Sequence, residues 1–153
     1  MAIDQYKRDL IYRRGNGKSV LNGYKEKITS LFLIDVEQLS FLSLEETDDV
    51  ILKKPKERYE VSKVRVSPDD TKKILGEIME SKGEYYVFID DDWKCCGAFL
   101  IESLMFLRDD FRFGEKVNNN IFFISRDLKS LIDLDYSEDK GKFYIEKITF
   151  ELS

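Results

Sequence analysis

The sequence predicts a layered α/β protein, a central sheet of mixed pairing with helices packed on it, with an α+β arrangement as the alternative. Three observations lead there. YEVSKVRV at 59–66, EYYVFID at 84–90, IFFIS at 121–125 and FYIEKITFEL at 143–152 are rich in β-branched and aromatic residues and read as strands. Stretches of helical period separate them. The composition, 42% hydrophobic and 13% aromatic with two prolines and eight glycines, suits a packed core rather than a disordered chain. At 153 residues the expected organisation is one domain over 1–153, with 1–30 a peripheral N-terminal element.

In chain order, residues 3–13 suggest a short helix with Ile3, Leu10 and Ile11 inward, ended by a polar turn at RRGNGKS. ITSLFLI, 28–34, reads as a strand, and VEQLSFLSL, 36–44, as either a strand or a short helix. EETDDVILKKPKER suggests a surface hairpin or loop with a strand at Val50–Leu52. SPDDTKKILGEIMES, 67–81, carries the clearest helix signals: Ser67 at the cap, Pro68 at the first position, Asp69 and Asp70 at the positive end of the dipole, and an apolar stripe of Ile74, Leu75, Ile78 and Met79. CGAFLIESLMFLRDDF, 96–111, reads as a buried helix with Glu102 and Asp109 on its polar edge, or as a strand through Ile101. Ser125 or Asp127 is placed to cap a short helix, DLKSLIDL, before a turn at YSEDKGK.

The net charge of −5 weighs against broad nucleic-acid binding, which relies on basic patches that displace counterions. The charge is segregated. Residues 1–30 hold seven basic and three acidic side chains, 31–50 none and six, 51–66 six and two, and 67–112 six and eleven. An acidic face of this kind steers a basic partner. No apolar run suits a signal peptide or a membrane span, and Cys95 and Cys96 make no disulfide framework, so the expectation is a cytoplasmic protein with reduced thiols.

The chain has no histidine, which removes Ser-His-Asp and Cys-His nucleophiles and the usual zinc and iron sites. The adjacent Cys95 and Cys96 lack metal-ligand or redox spacing and read as packing residues. GNGKS at 15–19 invites comparison with a phosphate loop, but the glycine required five residues before Gly17 is Tyr12. No cofactor and no catalytic residue is therefore expected.

VFIDDDWKCCG, 87–97, is the remaining candidate. Carboxylates at the end of an apolar strand are where α/β folds place ligands. Asp90 and Asp92, as D-x-D, resemble the metal motif of nucleotide-sugar glycosyltransferases, although the nucleotide-binding half is missing. The segment also resembles the first motif of haloacid-dehalogenase-type phosphatases, but Lys94 stands where those need Thr or Val. Asp90, Asp91 and Asp92 otherwise read as a solvated turn or as part of a partner surface. Trp93, the single tryptophan, is either a binding anchor or a lid folded over the core. Glu45, Glu46, Asp48 and Asp49 form a second acidic candidate.

In size, acidity and lack of catalytic constellation, the whole chain resembles bacterial immunity proteins of contact-dependent-inhibition and polymorphic toxin systems. That resemblance implies a non-enzymatic protein that binds a toxin domain, often a basic nuclease, and occludes its active site. The expected partner is thus a protein, with no direct nucleic-acid or membrane contact. The alternatives are a small metal-dependent enzyme using Asp90 and Asp92, a phage-type nucleic-acid mimic, and strand addition at FYIEKITFEL, in which Lys147 reads equally as edge protection.

Overall fold

A computed structural model of the chain describes residues 4–111, 113 and 120–153. Helices α1 (Gln5–Leu31), α2 (Leu44–Lys53), α3 (Thr71–Met79) and the single turn α4 (Trp93–Cys96) accompany strands β1 (Arg58–Val66), β2 (Tyr85–Ile89), β3 (Phe99–Ile101), β4 (Asn120–Ser125), β5 (Ser130–Asp139) and β6 (Lys142–Leu152). The strands form one sheet in the order β1-β6-β5-β4-β2-β3. Helices around a central sheet agree with the predicted class. Every pairing is antiparallel rather than mixed, which is the α+β form of that prediction.

The two faces of the sheet bury separate clusters. On one face Val87, Ile89, Phe123, Ile132, Leu134 and Ile145 meet Tyr24, Ile28 and Leu31 of α1 and Ile74, Leu75 and Ile78 of α3. On the other, Phe88, Ile124, Leu131 and Leu152 meet Val50 and Ile51 of α2, together with Trp93. Alternation along each strand, period two, distributes its side chains between the clusters.

Several sequence expectations are corrected. The short helix, the turn at RRGNGKS and the strand at 28–34 are instead one 27-residue helix, α1, ending at Leu31, with only Phe32 making an isolated bridge, to Leu107. Leu10 of the expected inward set is buried, Ile11 is exposed, and Ile3 lies outside the described residues. Glycine survives inside α1 because packing demands it: a Cβ on Gly17 would lie 2.5 Å from the carbonyl oxygen of Cys95. The expected loop at 45–58 begins as α2, fixed by a capping box in which Ser43 Oγ accepts from Glu46 N–H and the Glu46 carboxylate accepts from Ser43 N–H. The strand-or-helix at 36–44 is a short 3₁₀ turn at Val36–Gln38 followed by extended chain.

The expected helix at 96–111 is broken at its start by Gly97, held at φ +91 where a Cβ would strike the Leu42 carbonyl. The strand reading through Ile101 is the one that forms, as β3, with a 3₁₀ turn at Leu104–Phe106 after it, so Glu102 and Asp109 share no helix face. DLKSLIDL is no helix either. Ser125 Oγ and Asp127 do cap backbone N–H groups, at Lys129 and Ser130, but they close the β4–β5 turn. YSEDKGK narrows to the pair Lys140–Gly141, both at positive φ, the backbone of a tight hairpin. β1, β2, β4, β6 and α3 form where expected, although the Ser67 side chain makes no cap bond to the backbone. No helix among the described residues is long and apolar enough to cross a membrane.

Candidate functional site: an acidic sheet end and an apolar groove

β2 delivers its aspartates to one end of the sheet. Asp90 adopts a left-handed backbone (φ 47), a conformation Asp tolerates, and turns the chain into α4. Its carboxylate accepts from Asn120 N–H at 3.0 Å and from Lys27 Nζ at 2.9 Å, while Asp92 accepts from the same ammonium at 3.1 Å. Burial pulls the Lys27 pKa down, but the bonds to Asp90 and Asp92 outweigh it and the net shift is upward, so the group stays charged. Lys27 Nζ thus stands between the two carboxylates that the D-x-D reading reserved for a metal. Among the described residues, no three Asp, Glu, Cys or His side chains are grouped to hold an ion.

The other members of that motif separate. Asp91 is 83% exposed and pairs with Lys94 one helical turn on. Trp93 packs edge-on against Phe88 at 5.1 Å and Phe122 at 5.9 Å, which is the lid arrangement. Cys95 and Cys96 face a groove beside α1. Burial raises both thiols, Cys96 to about 11, and its Sγ–H points to the Gly17 carbonyl.

The second acidic candidate is engaged by α1. The Arg13 guanidinium bonds both oxygens of Asp48 at 2.8 Å, and Tyr6 O–H donates to the same carboxylate at 2.7 Å. The Arg13 bond, against opposing burial, holds Asp48 below the ordinary carboxylate range. Glu45 pairs with Arg14, Asp49 with Lys53, and Glu46 is the capping residue already described. Arg13 and Arg14 of the basic N-terminal block thus meet Asp48 and Glu45 of the acidic one, so part of the charge segregation read from the sequence is satisfied internally.

Two features escaped sequence reading. Asp133 and Asp135 alternate along β5 onto one face, where the Asn120 amide donates to both, and Glu146 lies opposite Asp135 on β6. Burial raises both aspartates, reinforced at Asp133 by Asp135 and at Asp135 by Glu146. Arg65 and Lys63 pair with Glu146, whereas neither Asp133 nor Asp135 makes an ion pair among the described residues. The signal was present: Ile-Asp-Leu-Asp-Tyr has the period of a half-buried strand.

The second feature is a groove of about 320 Å³ beside β3, floored by Ile34, Leu39, Leu100 and Phe106 and rimmed by Asp35 and Glu102. Leu33 (58% exposed) and Met105 (70%) adjoin the lining residues Ile34 and Phe106 (41%) in sequence, and Leu33 N–H bonds the Phe106 carbonyl at 2.7 Å. Reading 28–34 as a strand and 96–111 as a helix concealed it, because only the end of α1 and the 3₁₀ turn bring these residues together. No protein-family model matches the chain, and no curated protein or solved structure is significantly similar to it.

Proposed function

We propose that the chain is a non-enzymatic binding protein that neutralises a cationic partner protein, as a cytoplasmic immunity protein does with the toxin domain it covers. The observation that carries this reading is the apolar groove beside β3. An apolar floor with a charged rim has the composition of a protein interface, and Leu33 and Met105, adjoining the lining residues in sequence, are exposed as well. Asp35 and Glu102 select a cationic rim on the other side, and they lie in the blocks 31–50 and 67–112, the two where acidic residues prevail. The interface accordingly moves away from Asp90, Asp92 and Trp93, whose contacts are internal. Asp91, Glu45 and Asp49 remain exposed and contribute to steering the partner.

The test is protection from toxicity. Wild-type chain and the variants Leu33→Ser/Met105→Ser and Asp35→Asn/Glu102→Gln serve as baits in lysate of the source cells, and the captured protein is then expressed alone and with each bait. A basic protein that arrests growth alone, is rescued by wild type and is poorly rescued by both variants supports the reading. Capture of a harmless protein, or rescue that ignores both variants, overturns it.

A further inference from the structure

The sheet ends differently on its two sides. β3 is three residues long, and the segment before α2 runs beside it: Phe41 bridges Phe99, and Leu42 N–H bonds the Ala98 carbonyl at 2.9 Å. β1 is nine residues long and, among the described residues, pairs only with β6. Its first six residues are exposed, Tyr59 and Val61 among them. Among the described residues, one row of backbone N–H and C=O groups along β1 thus has no strand opposite it, the usual template for adding another.

We propose that this edge of β1 receives an acidic, extended segment of a partner protein as a further strand. Charge selects the occupant. Residues 51–66 hold six basic side chains against two acidic ones, and Lys54, Lys56 and Arg58 make no ion pair among the described residues. Two copies of the chain meeting edge to edge would bring these cations together, so the charges that oppose self-pairing favour a strand bearing Asp or Glu at alternate positions. The register shift at Val61 bends β1, leaving Ser62–Val66 as the straight stretch on which the incoming strand lies. Main-chain bonds provide the affinity, and Lys63 and Arg65, half-exposed although each also pairs with Glu146, attract the alternating acids. This surface is distinct from the groove beside β3 and opposite to it in charge preference.

Hydrogen exchange by NMR on the ¹⁵N-labelled full chain tests this, with two probe peptides of about seven residues that alternate Val with Glu or Val with Lys. The Glu peptide is expected to shift the resonances of Ser62–Val66 and to slow exchange of their outward amides by roughly tenfold or more, with the Lys peptide inert. In Lys56→Glu/Lys63→Glu, whose spectrum outside β1 reports that the fold is kept, the preference should reverse. Equal response to both peptides, no response at β1, or shifts confined to another surface overturns the proposal. So does concentration-dependent sedimentation of the chain alone with β1 amides already protected, which would make a second copy the occupant.

Discussion

Lys27 Nζ lies 2.9 Å from a carboxylate oxygen of Asp90 and 3.1 Å from one of Asp92, and the three side chains are at most 16% exposed. One cation near the C-terminal end of α1 therefore holds the loop that follows β2. Lys27→Met leaves two carboxylates facing each other with that cation gone, and the expected loss is about 3 kcal/mol in urea unfolding. Adding Asp90→Asn and Asp92→Asn to that variant should recover part of the loss. A neutral effect of Lys27→Met would mean the triad is more solvated than its geometry indicates.

Trp93 packs on Phe88 and Phe122, so its removal acts on folding before it acts on any partner. Trp93→Ala is expected to cost about 3 kcal/mol. Chemical denaturation gives the number. Stability within experimental error of wild type would restore the tryptophan as a surface anchor.

Two glycines in α1 are expected to respond in opposite directions. A Cβ at Gly15 meets nothing within 4 Å, so Gly15→Ala should gain about 1 kcal/mol of helix propensity. At Gly17 the same methyl collides with the Cys95 carbonyl, forcing α1 away from α4 at a cost of about 2 kcal/mol. Paired thermal melts would show one midpoint rising and the other falling.

Asp133 and Asp135 have pKa values raised by burial, so the folded state holds their protons more tightly than the unfolded chain does. Stability then falls as pH rises from the ordinary carboxylate value of 3.8 through the raised one, and the penalty is complete above the raised value. Asp133→Asn should therefore be more stable than wild type at pH 7, with the gain shrinking toward pH 4. Denaturant titrations at both pH values measure it, and a gain that grows in acid would contradict the assignment.

With both thiols raised, Cys96 to about 11, little thiolate exists near neutrality. Alkylation of the native protein by iodoacetamide at pH 7.5 should run at least roughly tenfold slower than that of glutathione, becoming comparable in denaturant. Mass spectrometry of the time course reads each cysteine separately.

Where the sequence reading succeeded, the period of the side chains was strong and local. β1, β2, β4 and β6 declare themselves by β-branched and aromatic runs, and α3 by its Pro68 start and apolar stripe. α1 was obscured because Gly15, Asn16 and Gly17 punctuate locally like a turn, whereas the decisive contact, Gly17 against Cys95, is remote in sequence. Its buried line Leu10, Gly17, Tyr24, Leu31, one residue in seven, was visible but contains a glycine and a tyrosine whose hydroxyl donates to the Gly97 carbonyl. The Asp90–Asp92 cluster was legible as a place but not as a role, because the cation that occupies it comes from residue 27. The groove beside β3 was illegible, since it exists only through two elements whose type is set by tertiary packing.

The pairing of β1 with β6 also orders events in time. Arg58 lies opposite Leu152, and the Glu57 carbonyl accepts from Ser153 N–H. On a ribosome β1 emerges long before its neighbour exists, whereas β4, β5 and β6 follow one another through short turns and assemble as they appear. A nascent chain consequently exposes the nine-residue β1 segment without its neighbour while residues 67–141 are made, and the lysines and arginines around it oppose pairing with neighbouring nascent chains during that interval.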